Sequence, residues 1–355
     1  MPVNCGRSAT AARPSASSAA TRRPARVLGG RGSTFRVSCR SMRLVAAPAS
    51  LKGVLSAAEA AAALVSGAGP DAVALPVADG GEGTAEVLHA ALGGEWREAE
   101  AADPLDRPLR ARWLLLPDGT AVVESAAAVG LPLLAPDERD PLRGSTRGLG
   151  LLLLAVLAER PRALLVGLGG SATIDGGAGM RELVRELPVP ARAACDVRTA
   201  LDDAPRLYGP QKGASPAEVV ELERRLRADA ELRPYAGLPG SGAAGGLGAA
   251  FAALGAELVP GARLVLETIR FAERIRGADL VVTGEGTVDG TTSEGKAPAE
   301  VARAAAGAGI RCVCFGGRVE QPLPGVETVT LSGDPARARA DLVALARQLT
   351  GPKQP

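Results

Sequence analysis

The chain has 355 residues, 46% of them hydrophobic, and this length allows two ordinary domains with a core each. Its 45 glycines and 27 prolines lie at the ends of apolar runs and have no fixed period, which excludes a collagen-like fold. The formal charge is +2, but eight of the 41 basic residues precede Met42, so 33 basic residues accompany 39 acidic ones in the remainder. This acidic balance, with only 2% aromatic residues, excludes a nucleic-acid partner.

The first 41 residues are rich in Arg, Ser and Ala and contain no acidic residue. We interpret them as a disordered extension or as the result of a translation start assigned upstream of the true one at Met42. The alternative is an organelle transit peptide. Five cysteines without CxxC spacing predict a reducing, cytoplasmic location and no disulfide framework. The longest apolar run, residues 149–158, is too short to cross a bilayer, so no membrane partner is expected.

Short apolar runs alternate with longer helical patterns along the rest of the chain. This alternation predicts an α/β fold with mostly parallel sheets. A hairpin around Pro117–Asp118–Gly119 interrupts it and suggests a second domain. The predicted strands are 43–47, 72–77, 112–116, 121–124, 163–168, 279–283, 311–315 and 327–331, and the predicted helices are 56–66, 84–92, 146–158, 216–229, 244–254, 262–275, 297–306 and 336–349.

Composition breaks after Val77 and across residues 232–246 divide the chain further. We predict two α/β domains with mostly parallel sheets, the second inserted into the first. The first, Rossmann-like domain comprises residues 42–78 and 240–352, and the inserted domain comprises residues 79–239. Residues 1–41 belong to neither domain.

The most glycine-rich segment is ALLVGLGGSATIDGGAGM, residues 163–180, in which a strand-like run leads into a loop. Glycine lets backbone amides close around an anion, and neighbouring hydroxyl and carboxylate groups hold phosphate oxygens or a metal. Open α/β sheets bind ligands at the carboxyl ends of their strands, which is where this loop lies. The candidate phosphate ligands are Gly169, Gly170, Ser171 and Thr173, and the candidate metal ligand is Asp175.

A second glycine–acid cluster, PVADGGEGTAE, occupies residues 76–86 between a predicted strand and a predicted helix. The free amides of a helix start favour an anion, and Asp79 and Glu82 are spaced to hold Mg²⁺ or to accept a proton. The structural alternative is that Asp79 only caps the helix, although a cap alone does not need three glycines. The candidate phosphate contacts are Gly80, Gly81, Gly83 and Thr84.

Two short segments that follow each other in the sequence offer one acidic residue and one lysine as further candidates. CDV, residues 195–197, has Asp196 at the end of a short apolar run, and YGPQKGA, residues 208–214, offers Lys212 in a Gly/Pro loop. A lysine in such a loop contacts a phosphate as a point charge, or it is simply solvated.

The segment VVTGEGTVDGTTSEGKAP, residues 281–298, contains Glu285, Asp289 and Lys296. It is one residue short of a P-loop, because Ala297 stands where Ser or Thr would bind Mg²⁺, and the predicted strand ends well before the glycines. We therefore predict no Walker A motif. Lys296 at a helix start, with Pro298 suited to the first turn, still predicts a phosphate contact.

The segment GSGAAGGLG, residues 240–248, matches GxGxxG, but no predicted strand precedes it. It therefore predicts a glycine-lined helix entry that approaches a ligand or another backbone, rather than an NAD site. The only histidine, His89, lies in a helical pattern and is expected to pack or face solvent. Because this single histidine is not expected to act as a base, we predict no Ser-His-Asp triad and no His/Cys metal site, so carboxylates must supply acid–base chemistry.

Taken in this order, the segments resemble the type I glycerate kinase family over residues 43–349. The resemblance is carried by PVADGGEGT, GLGGSATIDGGAGM, ACDV, YGPQKGA, GAAGGLG and DLVVTGEGTVD...GKAP. It implies Mg²⁺-assisted transfer of the γ-phosphoryl group of ATP to a hydroxyl of D-glycerate, at an active site in the cleft between the two α/β domains. The chain departs from the family pattern at Ala49 for an acid, Ile174 and Thr199 for asparagines, and Thr287 and Thr291 for a basic residue and Gln, and it lacks a GPxGAA-like stretch before Tyr208.

The resemblance also implies the roles of the site residues. The general base is Asp196 or Asp79, and this choice stays open. The Mg²⁺-binding or orienting carboxylates are Glu82, Asp175, Glu285 and Asp289, and the cations for phosphate or substrate carboxylate are Lys52, Lys212 and Lys296. The expected partners are D-glycerate and ATP, with a homodimer and the choice of hydroxyl left open. The alternatives are a metabolite-binding homologue without turnover, a kinase of another small hydroxy acid, and an NAD oxidoreductase.

Overall fold

The computed structural model describes residues 42–351, so the predictions for residues 1–41 lie outside it. Two sheets are surrounded by helices. The strands are β1 (Leu44–Ala46), β2 (Val73–Ala74), β3 (Glu95–Ala102), β4 (Pro108–Leu115), β5 (Thr120–Glu124), β6 (Ala163–Leu168), β7 (Ala191–Cys195), β8 (Glu257–Pro260), β9 (Leu280–Val288), β10 (Arg311–Val319) and β11 (Glu327–Thr330). The helices are α1 (Ala57–Ala68), α2 (Thr84–Leu92), α3 (Ala126–Val129), α4 (Arg147–Ala158), α5 (Ala178–Leu183), α6 (Ala204–Tyr208), α7 (Pro216–Ala228), α8 (Ala243–Ala253), α9 (Gly261–Thr268), α10 (Phe271–Arg274), α11 (Ala297–Gly307) and α12 (Ala338–Thr350).

The first sheet has five strands in the order β11-β10-β9-β1-β2, and every neighbouring pair is parallel. The second has six strands in the order β3-β4-β5-β6-β7-β8. Its β3–β4 and β4–β5 pairs are antiparallel and the other three are parallel. The predicted α/β fold with mostly parallel sheets is therefore confirmed, and the predicted hairpin is the β4–β5 pair, with Leu114 opposite Val122.

Several elements differ from their predicted bounds because tertiary pairing overrides the apolar pattern. β3 is a charged strand, EWREAEAA, which no apolar run marks, and it pairs along its length with β4. β9 continues to Val288, five residues beyond the predicted end, because β10 pairs with its glycine-containing second half. The helix predicted over 262–275 is broken at Arg270, whose φ of 52° places it in the left-handed region.

The sheets divide the chain differently from the domain boundary predicted at residue 240. Residues 257–260 form β8, which pairs with β7 in the second sheet, with Cys195 opposite Pro260. One apolar cluster also contains side chains from both sheets, including Val45 and Val281 of the first and Leu165 of the second. Residues 243–260 thus belong with the second sheet, while the division into two domains stays a prediction.

The chain passes between the sheets twice, near Asp79 on the way out and at Gly261 on the way back, and these two crossings touch. A Cβ atom at Gly261 would lie 1.9 Å from the Asp79 carbonyl oxygen and 2.7 Å from the Gly80 Cα. Only glycine allows this approach, since real Cβ contacts are not that short.

We expect Gly261→Ala to lower the free energy of unfolding by about 3 kcal/mol, because the added methyl group forces the two crossings apart. The measurement is urea unfolding followed by circular dichroism. Gly307→Ala is the matched control, since a Cβ there meets nothing within 4 Å and the residue lies at the end of α11. Equal midpoints for the two variants would contradict this interpretation of the contact.

Within residues 42–351, no helix combines the length and apolar character needed to span a membrane. Cys195, Cys312 and Cys314 are free thiols in this part of the chain. Burial raises the pKa of each to about 12, which disfavours the thiolate form at neutral pH. The cytoplasmic location stays a prediction.

Candidate active site

Loops from both sheets meet at the carboxyl ends of their strands. A Cβ atom at Gly169, which follows β6, would lie 2.9 Å from the Gly81 Cα and 3.4 Å from the Asp196 Oδ2 atom. Gly81 lies between β2 and α2, and Asp196 directly follows β7. The absence of side chains at both glycines therefore lets two loops from different parts of the sequence close against one carboxylate.

Asp196 lies at the centre of this group of charges. Its side chain is accessible to solvent, yet protein surrounds it on most sides, and this partial removal from bulk water raises its pKa to about 6. The charges of Lys52 and Lys212 lower the pKa, and the charge of Asp79 raises it. Asp196 is thus ionised at neutral pH and has a pKa suited to accepting a proton.

Lys212 is buried, with only 4% of its surface exposed. Its Nζ donates to the Thr173 carbonyl oxygen at 2.9 Å. Burial lowers the pKa of Lys212 to about 7, and the nearby carboxylates of Asp175 and Asp196 oppose that shift. An incompletely paired ammonium group in this position favours an anion.

Ser171 and Thr173 are buried and hydrogen-bonded to each other, with 2.9 Å between their hydroxyl oxygens. Asp175, two residues further, accepts hydrogen bonds from the backbone N–H and hydroxyl of Thr146 and from the N–H groups of Gly177 and Gly179. This carboxylate joins the starts of α4 and α5. Because its oxygens are already occupied, we do not include Asp175 in the proposed metal set below.

A second acidic group lies on the first sheet. Asp79 accepts a hydrogen bond from the Ala297 N–H at 2.6 Å, so it caps α11 rather than α2. The Lys296 Nζ lies 3.8 Å from a carboxylate oxygen of Glu285 and 3.8 Å from one of Asp289. Burial raises the pKa of Glu285. The negative charges of Asp79 and Asp289 raise this pKa further. These residues come together as the sequence predicted, and their chemical roles stay predictions.

Asp289 also has a local structural role. It accepts hydrogen bonds from the N–H groups of Thr291 and Thr292 and caps the 3₁₀ turn Gly290–Glu294. The Thr291 hydroxyl hydrogen bond is the largest cause of its lowered pKa. The residues before Lys296 therefore form a turn that this carboxylate holds, and the absence of a Walker A motif stays a prediction.

Lys52 is exposed in the turn after β1, beside the glycine that follows Glu285: a Cβ at Gly286 would lie 3.7 Å from the Lys52 backbone nitrogen. Glu82 is exposed near the other loop, with its Oε2 atom 3.7 Å from the Cβ position of Gly170. Both therefore lie at the edges of the group around Asp196.

The start of α2 differs from the predicted anion site. Gly83 is the N-terminal cap residue and has no side chain to cap the helix. The Thr84 hydroxyl is fully buried and has no hydrogen-bond partner, so a ligand does not reach it in this conformation. The Ala85 N–H is already bound to the Glu124 carboxylate at 2.7 Å. The contacts predicted for Gly80, Gly81, Gly83 and Thr84 stay predictions, of which the Thr84 contact has the least structural support.

The metal that the resemblance implies can be compared with these donors. Among residues 42–351 no group of three or more His, Cys, Asp or Glu side chains is arranged to hold a metal. Mg²⁺ commonly uses one or two carboxylates and takes its other ligands from phosphates and water. Glu285 and Asp289, which share the Lys296 ammonium group, fit this pattern.

Sequence reasoning missed two residues of this region. Glu124 ends β5, and burial raises its pKa to about 7, while the Ala85 N–H opposes the shift. Thr292 is buried and donates to Glu285 at 2.8 Å. The position of Glu124 at the carboxyl end of a strand is the signal that singled out Asp196, and it would have identified Glu124 as well.

Glycines of the segment that matches GxGxxG have a structural role, because they allow close packing of two backbones. A Cβ at Gly245 would lie 2.0 Å from the Thr173 carbonyl oxygen, and one at Gly246 would lie 2.9 Å from the Gly176 Cα. The glycines were expected to approach either a ligand or another backbone, and in the structure they approach the backbone of residues 173–176. Helix α8 thus supports the loop that carries Thr173. His89 is half-buried, with its ring centroid 5.6 Å from that of Trp96.

Three departures from the family pattern have structural explanations. Ala49 and Ile174 are buried, at 4% and 1% exposure, and Ile174 belongs to the apolar cluster of the second sheet. The Thr199 hydroxyl lies 2.6 Å from that of Tyr208, whose ring faces the Lys212 ammonium group at 6.0 Å. The hydroxyl pair thus fixes the aromatic wall beside Lys212.

Comparison with known proteins agrees with this architecture. The Glycerate 2-kinase of Escherichia coli (strain K12) is 40% identical over 312 residues, which cover 74% of this chain and 82% of the relative. The Glycerate kinase of Halalkalibacterium halodurans is 38% identical over 326 residues, covering 78% and 86%. A crystal structure from Salmonella typhimurium LT2, provisionally assigned as glycerate kinase 2, matches with a TM-score of 0.75 and 32% identity, covering 87% of this chain and 97% of that one.

A sequence model of the glycerate kinase family matches residues 44–185 and 182–333. These two segments span both sheets and all the loops around Asp196. The fold, the order of the glycine–acid loops and the identity to curated relatives agree with each other, and the chain belongs to the glycerate kinase family.

Proposed function

We propose that this protein transfers the γ-phosphoryl group of ATP to the 2-hydroxyl of D-glycerate. The observation that carries the proposal is the position of Asp196 against the Gly81 and Gly169 loops, where its pKa is about 6 and the charges of Lys52 and Lys212 act on it. Phosphoryl transfer requires chiefly the positioning of reactants and the neutralisation of charge, with a base to accept the hydroxyl proton. The choice of the 2-hydroxyl rests on the E. coli relative, which is a glycerate 2-kinase.

In the proposed mechanism, Asp196 accepts the proton of the glycerate hydroxyl as its oxygen forms a bond to the γ-phosphorus. The bond between that phosphorus and the β–γ bridging oxygen breaks, and ADP leaves with the electron pair. Asp196 is preferred to Asp79 because the Asp79 carboxylate already accepts the Ala297 N–H.

The cations have separate tasks in this proposal. Lys212, held by the Thr173 carbonyl, binds the carboxylate of glycerate, with the Ser171 and Thr173 hydroxyls nearby. Lys296 and Lys52 lie on the first sheet and face the phosphates of ATP. Mg²⁺, held by Glu285 and Asp289, would supply further charge neutralisation on the triphosphate.

Phosphorus NMR after incubation with D-glycerate, ATP and Mg²⁺ tests the proposal. The expected result is a new 2-phosphoglycerate signal and an equal amount of ADP, both absent when glycerate or the protein is omitted. A 3-phosphoglycerate signal would contradict the choice of hydroxyl. Glycerate binding in calorimetry without any ADP would instead identify a metabolite-binding homologue, and faster ADP release with another acid from a panel would identify a different substrate.

A further inference from the structure

Helix α2 starts without a cap of its own. Gly83, its N-terminal cap residue, has φ of 87° and no side chain, so the first N–H groups of the helix must find acceptors elsewhere. These groups continue directly from the Asp79–Gly83 loop, which passes from the first sheet to the second. The conformation of that loop therefore depends on what fixes the start of α2.

The acceptor comes from a distant part of the chain. Glu124, the last residue of β5, accepts the Ala85 N–H at 2.7 Å, and its carboxylate also interacts with the Gly83 N–H. The two partners are 39 residues apart in sequence. A carboxylate at a helix start is favoured both by these hydrogen bonds and by the helix dipole.

Glu124 is held there although its surroundings include other acids. Glu82 and Glu86 on the adjoining loop and helix both carry like charge, and the Arg112 guanidinium on β4 pairs with Glu86 rather than with Glu124. All four line one cavity of about 320 Å³, which Arg110 also borders. No described cation is paired with Glu124, so its role follows from the backbone N–H groups it binds.

The loop that Glu124 fixes reaches the proposed reaction centre. Gly81, four residues before Ala85, lies against Gly169, and a Cβ atom at Gly81 would be 3.8 Å from the Asp196 Oδ2 atom. We propose that Glu124 is a positioning residue of the kinase, which caps α2 from the end of β5 and so holds the Asp79–Gly83 loop against Asp196. This inference rests on the proposed function, but the loop contact is measurable without it.

Two variants separate the hydrogen bond from the charge. Glu124→Ala removes the acceptor, whereas Glu124→Gln keeps an amide oxygen that can accept the Ala85 N–H. We expect Glu124→Ala to lower kcat by about 30-fold through misplacement of the loop, with the KM for glycerate within about threefold. We expect Glu124→Gln to restore kcat to within about threefold of the wild type, because the acceptor is retained.

Hydrogen–deuterium exchange of peptides from residues 79–90 gives a readout independent of turnover. Protection should fall in Glu124→Ala and return in Glu124→Gln. Glu86→Ala is the matched control, since Glu86 is exposed on the same helix turn and pairs with Arg112, and it should change neither kcat nor exchange at residues 79–85.

Each other outcome overturns the positioning role. Unchanged exchange in Glu124→Ala would show that the loop does not depend on this cap. A lower melting temperature with wild-type kcat would show a purely structural cap. A Glu124→Gln variant as slow as Glu124→Ala would show that the charge, rather than the hydrogen bond, is needed. If the wild-type protein had no kinase activity, the exchange result would still decide the loop contact.

Discussion

Replacing Asp196 by Asn is expected to lower kcat by about 1,000-fold while the protein stays folded, because a carboxamide cannot accept the proton of the glycerate hydroxyl. The variant is nearly isosteric, so the contacts with Gly169 and Gly81 are kept. The pKa of Asp196 is raised on folding, and its ionised form is therefore disfavoured in the native state at neutral pH. The melting temperature at pH 7 should consequently be unchanged or higher. Coupled ADP release and thermal melting measure the two effects.

The pH dependence of the wild-type enzyme follows from the same carboxylate. Since the pKa of Asp196 is about 6, kcat/KM for glycerate should fall about tenfold per pH unit below that value as the base becomes protonated. Asp202→Asn is a matched control, because Asp202 lies on the following turn and pairs with Arg233. Asp79→Asn should be milder than Asp196→Asn, since the amide oxygen still accepts the Ala297 N–H. Full activity in Asp196→Asn would remove the assignment of the base.

Replacing Lys212 by Met is expected to lower kcat/KM for glycerate by about 100-fold or more and to leave the protein at least as stable. The activity falls because the variant has no cation for the substrate carboxylate, a charged hydrogen bond whose loss costs about 3 kcal/mol. Stability is kept because Met has a similar length and removes an ammonium group that is 4% exposed. Loss of function with retained or increased stability is the mark of a group selected for binding.

The sign of the stability effect can be checked against pH. Folding lowers the pKa of Lys212 to about 7, so between about pH 7 and its ordinary value of 10.5 the unfolded chain binds more protons than the native protein. Wild-type stability should rise over this range through this residue, and the advantage of Lys212→Met should shrink. Arg206→Met, which removes an exposed cation paired with Asp203, should change neither activity nor this pH dependence. A destabilised Lys212→Met variant would indicate that the ammonium group is structural.

The parallel core of the fold was predictable because its strands carry local signals. β6 was predicted with its observed bounds, 163–168, from a continuous apolar run, and α2 from a helical pattern bounded by glycines. β3 was not predictable in this way, because a strand with three glutamates is held by cross-strand pairing with β4 rather than by burial of its own apolar face. The place of β8 in the second sheet was not predictable for a related reason, since β8 is recognisable only from its pairing with β7.

At the site, the glycine-rich composition indicated which loops are involved, but not which carboxylate oxygens remain free of hydrogen bonds from the protein. Asp175 and Asp196 both follow strands and are surrounded by glycines, yet Asp175 has four backbone and hydroxyl donors and Asp196 remains accessible. That difference depends on Thr146, which is 29 residues away and carries no sequence signal of the contact. The Asp79 carboxylate likewise binds a residue 218 positions later. Hydrogen bonds between residues far apart in sequence therefore determine which of the predicted carboxylates remains free to contact a ligand.

The touching crossings at Gly80 and Gly261 have a mechanical consequence. Both covalent links between the two sheets pass through this one point, so a rotation of one sheet against the other would have its hinge there. Side chains beside a hinge move least, and Asp79 would keep its hold on α11 throughout such a rotation. The tips of the loops lie farther from this point, so the groups proposed to bind the two reactants would be brought together or separated by a small rotation.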